Sequence, residues 1–229
     1  MSGYIQRPDA PFGKNCMRNL YYVAIEGTIG VGKTSLAKLL ADRLNAKLVL
    51  ETFEDNPFLA DFYDDPEAHA FQTQLWFLFQ RYQQQQDLRQ VDMFHNLIIT
   101  DYMFVKDRLF ASLNLKEKEM SLYDTVANMM ERNVIHPDLV IFLQADADTL
   151  MRNISRRGRD FEKNISEDYI DALNQVYNEY FFRYQDTPLV IINTNNIDFV
   201  HNDGDLDEVI NYIRQPVTGT KFFNPTTGL

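Results

Sequence analysis

The sequence predicts an α/β fold, with one five-stranded parallel sheet flanked by helices. Three observations lead there. A glycine-rich loop, Gly27-Thr28-Ile29-Gly30-Val31-Gly32-Lys33-Thr34, joins an apolar, β-branched run at 20–26 to a helical pattern at 35–44. Strand-like runs then alternate with helical patterns along the rest of the chain. One of these runs, Asp138 to Gln144, is almost continuously apolar, as in a parallel strand covered on both faces.

The residue types of the loop dictate its chemistry. Gly27 and Gly32 let the backbone double back with several N–H groups pointing inward, at the positive end of the following helix, where an anion is favoured. Lys33 adds a mobile charge for the terminal phosphates of a nucleotide. The Thr34 hydroxyl is a ligand for the Mg²⁺ that travels with them. Ser35 leads into the helix, whose apolar positions are Leu36, Leu39, Leu40 and Leu44.

Composition narrows the class. A chain of 229 residues, 45% hydrophobic and 24% charged, is enough for one large domain with a substantial core. The net charge of −11 argues against a nucleic-acid surface, which needs clustered Lys and Arg, so a nucleotide site here must make its positive potential locally. The single cysteine, Cys16, excludes an internal disulfide framework and fits a reducing cytoplasm. No apolar run approaches membrane-spanning length, and no membrane partner is expected.

Residues 1–18, with Pro8, Pro11 and Gly13, read as a flexible leader, 19–214 as the folded domain, and 215–229 as a flexible tail. After the first helix a short strand at 46–51 ends in Glu51, and a third at 96–101 ends in Asp101. Between them Pro57 fits the first turn of a short helix, and a long helix runs from Pro66 to about Gln90. Its stripes Phe71, Leu75, Leu78, Tyr82 and Gln72, Trp76, Phe79, Gln83 predict burial on more than one side, in the core or against a partner subunit. Gln83 to Gln86 read as a solvated face. Further helices are expected from Met103 to Ser112, through Leu122 to Asn133, from Ala145 to Ser155, after the cap Ser166, and from Asp205 to Arg214. Lys116 to Glu119 read as a charged turn, and Pro188 to Asn193 as the fifth strand.

Parallel strands deliver their ends to one edge of a sheet, so Glu51 and Asp101 should converge beside the loop. There they suit two tasks, coordination of Mg²⁺ and general-base activation of an alcohol. Arg152, Arg156, Arg157 and Arg159 surround Gly158 after the fourth strand and predict a lid over phosphates at about 156–163. The histidines at 69, 95, 136 and 201 lack metal-ligand spacing, and no motif points to a Ser or Cys nucleophile.

The order of these motifs resembles the deoxyribonucleoside kinase family, and within it the bacterial deoxyadenosine/deoxyguanosine type. The resemblance runs from about Tyr22 to Arg214 and is carried by residues 27–35, Glu51, Tyr63 with Pro66-Glu67, Phe71-Gln72-Thr73, Asp101 with Asp107, and Arg157-Gly158-Arg159 with Glu162. It implies a P-loop kinase with an arginine-rich lid that uses ATP and Mg²⁺ to phosphorylate the 5′-hydroxyl of a deoxyribonucleoside in nucleotide salvage. By the resemblance, Glu51 takes the hydroxyl proton, and Thr34 and Asp101 hold Mg²⁺. Lys33, Arg157 and Arg159 stabilise the transferring group. Gln72 pairs with the base edge, Tyr63 and Glu162 hold the 3′-hydroxyl, and Asp107 with Arg81 contacts the base. A homodimer built on the helix with Trp76 and Phe79 is also implied.

One departure is visible. Many members carry Glu-Arg-Ser after the third strand, whereas this chain has Asp101-Tyr102-Met103. Lys106, Arg108 or a lid arginine is left to supply the missing charge, and the Asp-Tyr pair is closer to purine-type members. Two other readings share the loop. A nucleoside monophosphate kinase of the thymidylate kinase kind would need more cations around Gln72, and a nucleotide-binding regulatory protein would not need the acceptor residues.

Overall fold

In a computed structural model, which describes residues 20–88 and 95–224, the central strand β1 (Tyr22–Gly27) is buried along its whole length. Its side chains Val23 and Ile25 face one hydrophobic cluster and Tyr22 and Ala24 the other, so the sheet separates two cores. That is why the strands read as continuous apolar runs rather than alternating ones.

The sheet has six parallel strands in the order β2-β3-β1-β4-β5-β6. Here β2 is Lys47–Val49, β3 Ile98–Thr100, β4 Leu139–Gln144, β5 Leu189–Asn193 and β6 Thr220–Phe223. The sixth strand corrects the expected count of five and falls in the segment read as a flexible tail. Alternation is its only signal: Lys221 and Phe223 are half-buried while Thr220 and Phe222 face solvent. Pro216 and Gly219 mark the turn into it, not the end of order. Residues 1–18, including Cys16, and 225–229 lie outside the described residues.

The helices are α1 (Lys33–Leu44), α2 (Leu59–Asp64), α3 (Pro66–Leu88), α4 (Lys106–Asn114), α5 (Glu117–Glu131), α6 (Ala147–Arg157), α7 (Glu167–Arg183) and α8 (Asp203–Ile213). Helix starts follow local chemistry. Asp146 accepts the Thr149 N–H, Ser166 the Tyr169 N–H and Asn202 the Gly204 N–H. Lys116 to Glu119 is no free turn: the Glu119 carboxylate accepts the Lys116 N–H and opens α5. Among the described residues no helix is long and apolar enough to cross a membrane.

Helix α3 departs most from the expected pattern. Its buried line is Ala70, Thr73, Gln74, Leu78, Arg81, Gln85 and Leu88. Phe71 and Leu75 only pack partly beside it, and Phe79 is half exposed. Gln85, expected on a solvated face, is fully buried, with its amide donating to the Tyr22 hydroxyl. The same hydroxyl accepts from Thr100, so a polar seam runs under β1 and β3.

Candidate active site

The loop between β1 and α1 is shaped by contacts that admit no side chain. Gly27 has φ 150° and Gly30 φ 88°, and a Cβ on either would stand 2.5 Å from the Leu143 carbonyl oxygen or 2.6 Å from that of Leu150. Two asparagines hold the loop from outside. The Thr28 hydroxyl donates to Asn174 Oδ1 at 2.9 Å, Asn174 donates to the Ala145 carbonyl, and Asn153 donates to the Gly30 carbonyl. Val31 is buried against the core, and Ile29 lines the cavity beside Gly30, Lys33 and Thr34. Ser35 lies within the first turn of α1.

Strand ends then bring the carboxylates in. Asp101, one residue past β3, accepts the Thr34 hydroxyl on Oδ2 at 2.6 Å and the Glu51 N–H on Oδ1 at 2.8 Å. Glu51, two residues past β2, is thereby held beside Lys33 and Thr34 in one cavity. Its side chain pairs with Arg81 through Oε1 and with Lys106 through Oε2. Burial alone would raise its pKa, but the two cations outweigh burial and hold it at about 2. Lys33 moves oppositely. Burial first, and then the charge of Lys106, lower it to about 7, and its ammonium donates to the Gly27 and Thr28 carbonyls.

Beneath these groups lies Glu26, the last but one residue of β1, with no solvent exposure. It accepts the Met103 N–H at 2.6 Å and the Gly27 N–H at 3.2 Å, which ties the loop to the segment after β3. Burial raises its pKa against the pull of Lys106 and Lys33. A carboxylate in an otherwise apolar strand was the available signal, and the sequence reading passed over it.

The far wall comes from α3 and α4. Arg81 bridges Glu51 and Asp107, with its guanidinium 5.1 Å from the Phe77 ring centroid and 5.6 Å from that of Tyr102. Gln72 is not on this wall: its amide donates to the Ala68 carbonyl and meets His69 Nδ1. The glutamine that faces the cavity is Gln74, 2% exposed, whose Oε1 has no hydrogen-bond partner among the described residues. Two residues along a helix is a 200° turn, which separates the pair. The spacing Gln74, Phe77, Arg81 was the missed signal, since i, i+3, i+7 share a face.

Arg157, Arg159, Phe161 and Glu162 line the same cavity. Gly158, at φ 66°, ends α6, and Arg157 and Arg159 on either side of it both pair with the buried Glu162. Arg157 Nε stands 3.1 Å from Glu162 Oε2. Arg159 also lies 4.1 Å over the Phe53 ring, and Phe161 stacks on Tyr63 at 6.0 Å between centroids. Burial raises the Tyr63 pKa, so its hydroxyl keeps its proton. Arg152 instead bonds Thr149, and Arg156 is exposed on the helix end.

A model of the deoxynucleoside kinase family matches residues 23–218, which span this cavity and all the strands but the last. The chain belongs to the deoxynucleoside kinase family. Deoxyguanosine kinase of Bacillus subtilis (strain 168) is 30% identical over 206 residues, 87% of this chain and 99% of that one. Deoxyadenosine kinase of Dictyostelium discoideum is 32% identical over 214 residues, 90% of this chain and 85% of that one. Among solved structures, deoxyadenosine kinase from M. mycoides with bound dCTP superposes with TM-score 0.72 at 26% identity, covering 84% and 98%.

In this kinase, then, the cations left by the missing arginine can be placed. Arg108 pairs with Asp124 outside the cavity at 3.1 Å, whereas Lys106 is 6% exposed and inside it. A larger, open groove between α4 and α7, lined by Leu109, Val176, Tyr180 and Asp186, holds none of the kinase's site residues.

Proposed function

We propose that this kinase transfers the γ-phosphoryl group of ATP to the 5′-hydroxyl of a purine deoxyribonucleoside. The observation that carries the reading is the position of Glu51, held by Asp101 in the same cavity as Lys33 and Thr34. A base so placed reaches an acceptor lying against Gln74 while the donor phosphates lie on residues 27–35. As the new O–P bond forms and the bond from the γ-phosphorus to its bridging oxygen breaks, Glu51 takes the hydroxyl proton. Arg81 and Lys106 keep the carboxylate ionised for that step.

Lys33, Arg157 and Arg159 supply positive charge around the transferring group. Thr34 Oγ1 and Asp101 Oδ2 offer the hard oxygen pair that Mg²⁺ takes, and the ion, when bound, neutralises the donor phosphates. Tyr63 and Glu162 stand at the lid side for the sugar 3′-hydroxyl. Gln74, in place of Gln72, presents an unpaired amide oxygen to the base, with Asp107 and Arg81 beside it. The purine preference rests on the deoxyguanosine and deoxyadenosine kinases to which the chain is similar.

A nucleoside fits this cavity better than a nucleoside monophosphate. Arg81 is engaged by the carboxylates of Glu51 and Asp107, which compete with an acceptor phosphate for its guanidinium. The cytoplasm remains the expected compartment. A homodimer through α3 and α5 is supported by exposed Phe79, Leu122 and Met129, and sedimentation at several concentrations checks it. The direct test of the activity is a panel of deoxynucleosides and ribonucleosides with ATP and Mg²⁺, scored for 5′-monophosphate. Products from deoxyadenosine or deoxyguanosine are expected, and turnover of ATP regardless of acceptor would overturn the reading.

A further inference from the structure

Lys106 occupies an expensive position. It is 6% exposed, it is the first residue of α4, where the helix presents its positive end, and it shares a cavity with the ammonium of Lys33. Each of these disfavours a cation. Its hydrogen-bond partner is Glu51 Oε2, and the Phe110 ring lies 6.0 Å away.

The other cation on Glu51 is fixed differently. Arg81 is gripped from two sides by Glu51 and Asp107 and flanked by the rings of Phe77 and Tyr102. A planar fork held in that way stays where it is. Lys106 has a flexible four-carbon stem and, among the described residues, a single carboxylate partner, so of the two it is the one able to change partners.

Chemistry supplies the reason to change. Before transfer, Glu51 is an anion and attracts Lys106. When the 5′-oxygen bonds to phosphorus, a phosphoryl group of nearly two negative charges takes the place of the hydroxyl proton, against the single charge of Glu51. The nearest strong attraction for the ammonium has moved from the base to the product.

We propose that Lys106 is a phosphoryl-binding residue that pairs with Glu51 before transfer and with the new 5′-phosphate after it. The assignment rests on the acceptor reading above and adds to it a cation that distinguishes product from substrate.

The test is equilibrium binding without donor. The affinities of deoxyadenosine and deoxyguanosine are measured by calorimetry against those of their 5′-monophosphates, in wild type, Lys106→Met and Lys106→Arg. Lys106→Met is expected to bind nucleoside within about threefold of wild type and monophosphate at least about tenfold more weakly, with Lys106→Arg recovering much of the difference. A lysine that only positions Glu51 would shift both affinities by one factor, or neither, and either result would overturn the proposal. Should Lys106→Met not fold by circular dichroism, Lys106→Gln carries the same comparison. A wild-type chain that binds neither nucleoside would overturn the acceptor reading as well, whereas normal wild-type binding with an unchanged ratio in the variant removes Lys106 alone.

Discussion

Thr34 donates its hydroxyl to Asp101 Oδ2 at 2.6 Å, while the other oxygen of Asp101 accepts the Glu51 N–H at 2.8 Å. One carboxylate therefore sets the spacing between the phosphate loop and Glu51, the proposed general base. Asp101→Asn should raise the Mg²⁺ concentration needed for half-maximal turnover by about tenfold or more and lower kcat, because the proposed metal ligand and a backbone anchor go together. A Mg²⁺ titration of activity checks it, and an unchanged requirement would count against the metal assignment.

Glu51→Gln should reduce turnover by about 10³-fold while nucleoside affinity survives, the range expected for losing a general base. Turnover and calorimetric binding, measured side by side, separate the two effects.

The same residue gives stability a pH dependence. Its folded pKa, about 2, lies below the ordinary glutamate value of 4.5, so the pairing with Arg81 and Lys106 stabilises the fold above pH 4.5 and is lost as pH falls towards 2. The difference corresponds to about 3 kcal/mol at neutral pH. Urea melts of wild type and Glu51→Gln should therefore diverge at pH 7 and converge near pH 2. Parallel curves across that range would show that the ion pairs contribute nothing.

Gln74→Ala should raise the nucleoside KM by about 10- to 100-fold, since a buried amide aimed at the acceptor is lost. Gln72→Ala should leave it within about twofold, as a part-buried side chain away from the cavity does. Steady-state kinetics of the two variants decides which glutamine reads the base.

Gly27→Ala should destabilise the protein by roughly 2 kcal/mol or more, because the new methyl would meet the Leu143 carbonyl oxygen at 2.5 Å from a left-handed backbone. Thermal unfolding of the variant measures it.

What could be read in advance follows from the range of the interactions involved. The loop, its strand and its helix were legible because glycine conformation and helix polarity act within a few residues. Glu51 and Asp101 were placed correctly because strand ends in a parallel sheet share an edge. Gln72 was chosen over Gln74 because two apolar stripes on α3 compete, and only the packing of α4 and α5 decides which face turns inward. The partner of Lys106 depends on two strands and a helix meeting, which no local pattern carries. β6 was missed because its hydrogen bonds go to β5, some 30 residues earlier, and its composition looks like that of a loose end.

The edge strand has a practical bearing on anyone who shortens this enzyme. Leu189 donates to the Gly219 carbonyl, Tyr212 donates to that of Phe222, and the rings of Tyr212 and Phe223 meet at 4.8 Å. A truncation at 218, where the family match stops, would strip a ladder of backbone bonds from β5 and leave an apolar border open to neighbouring molecules. Clipped protein should precipitate more readily than protein that keeps β6, and fusions are better joined beyond that strand than spliced in at the natural-looking boundary.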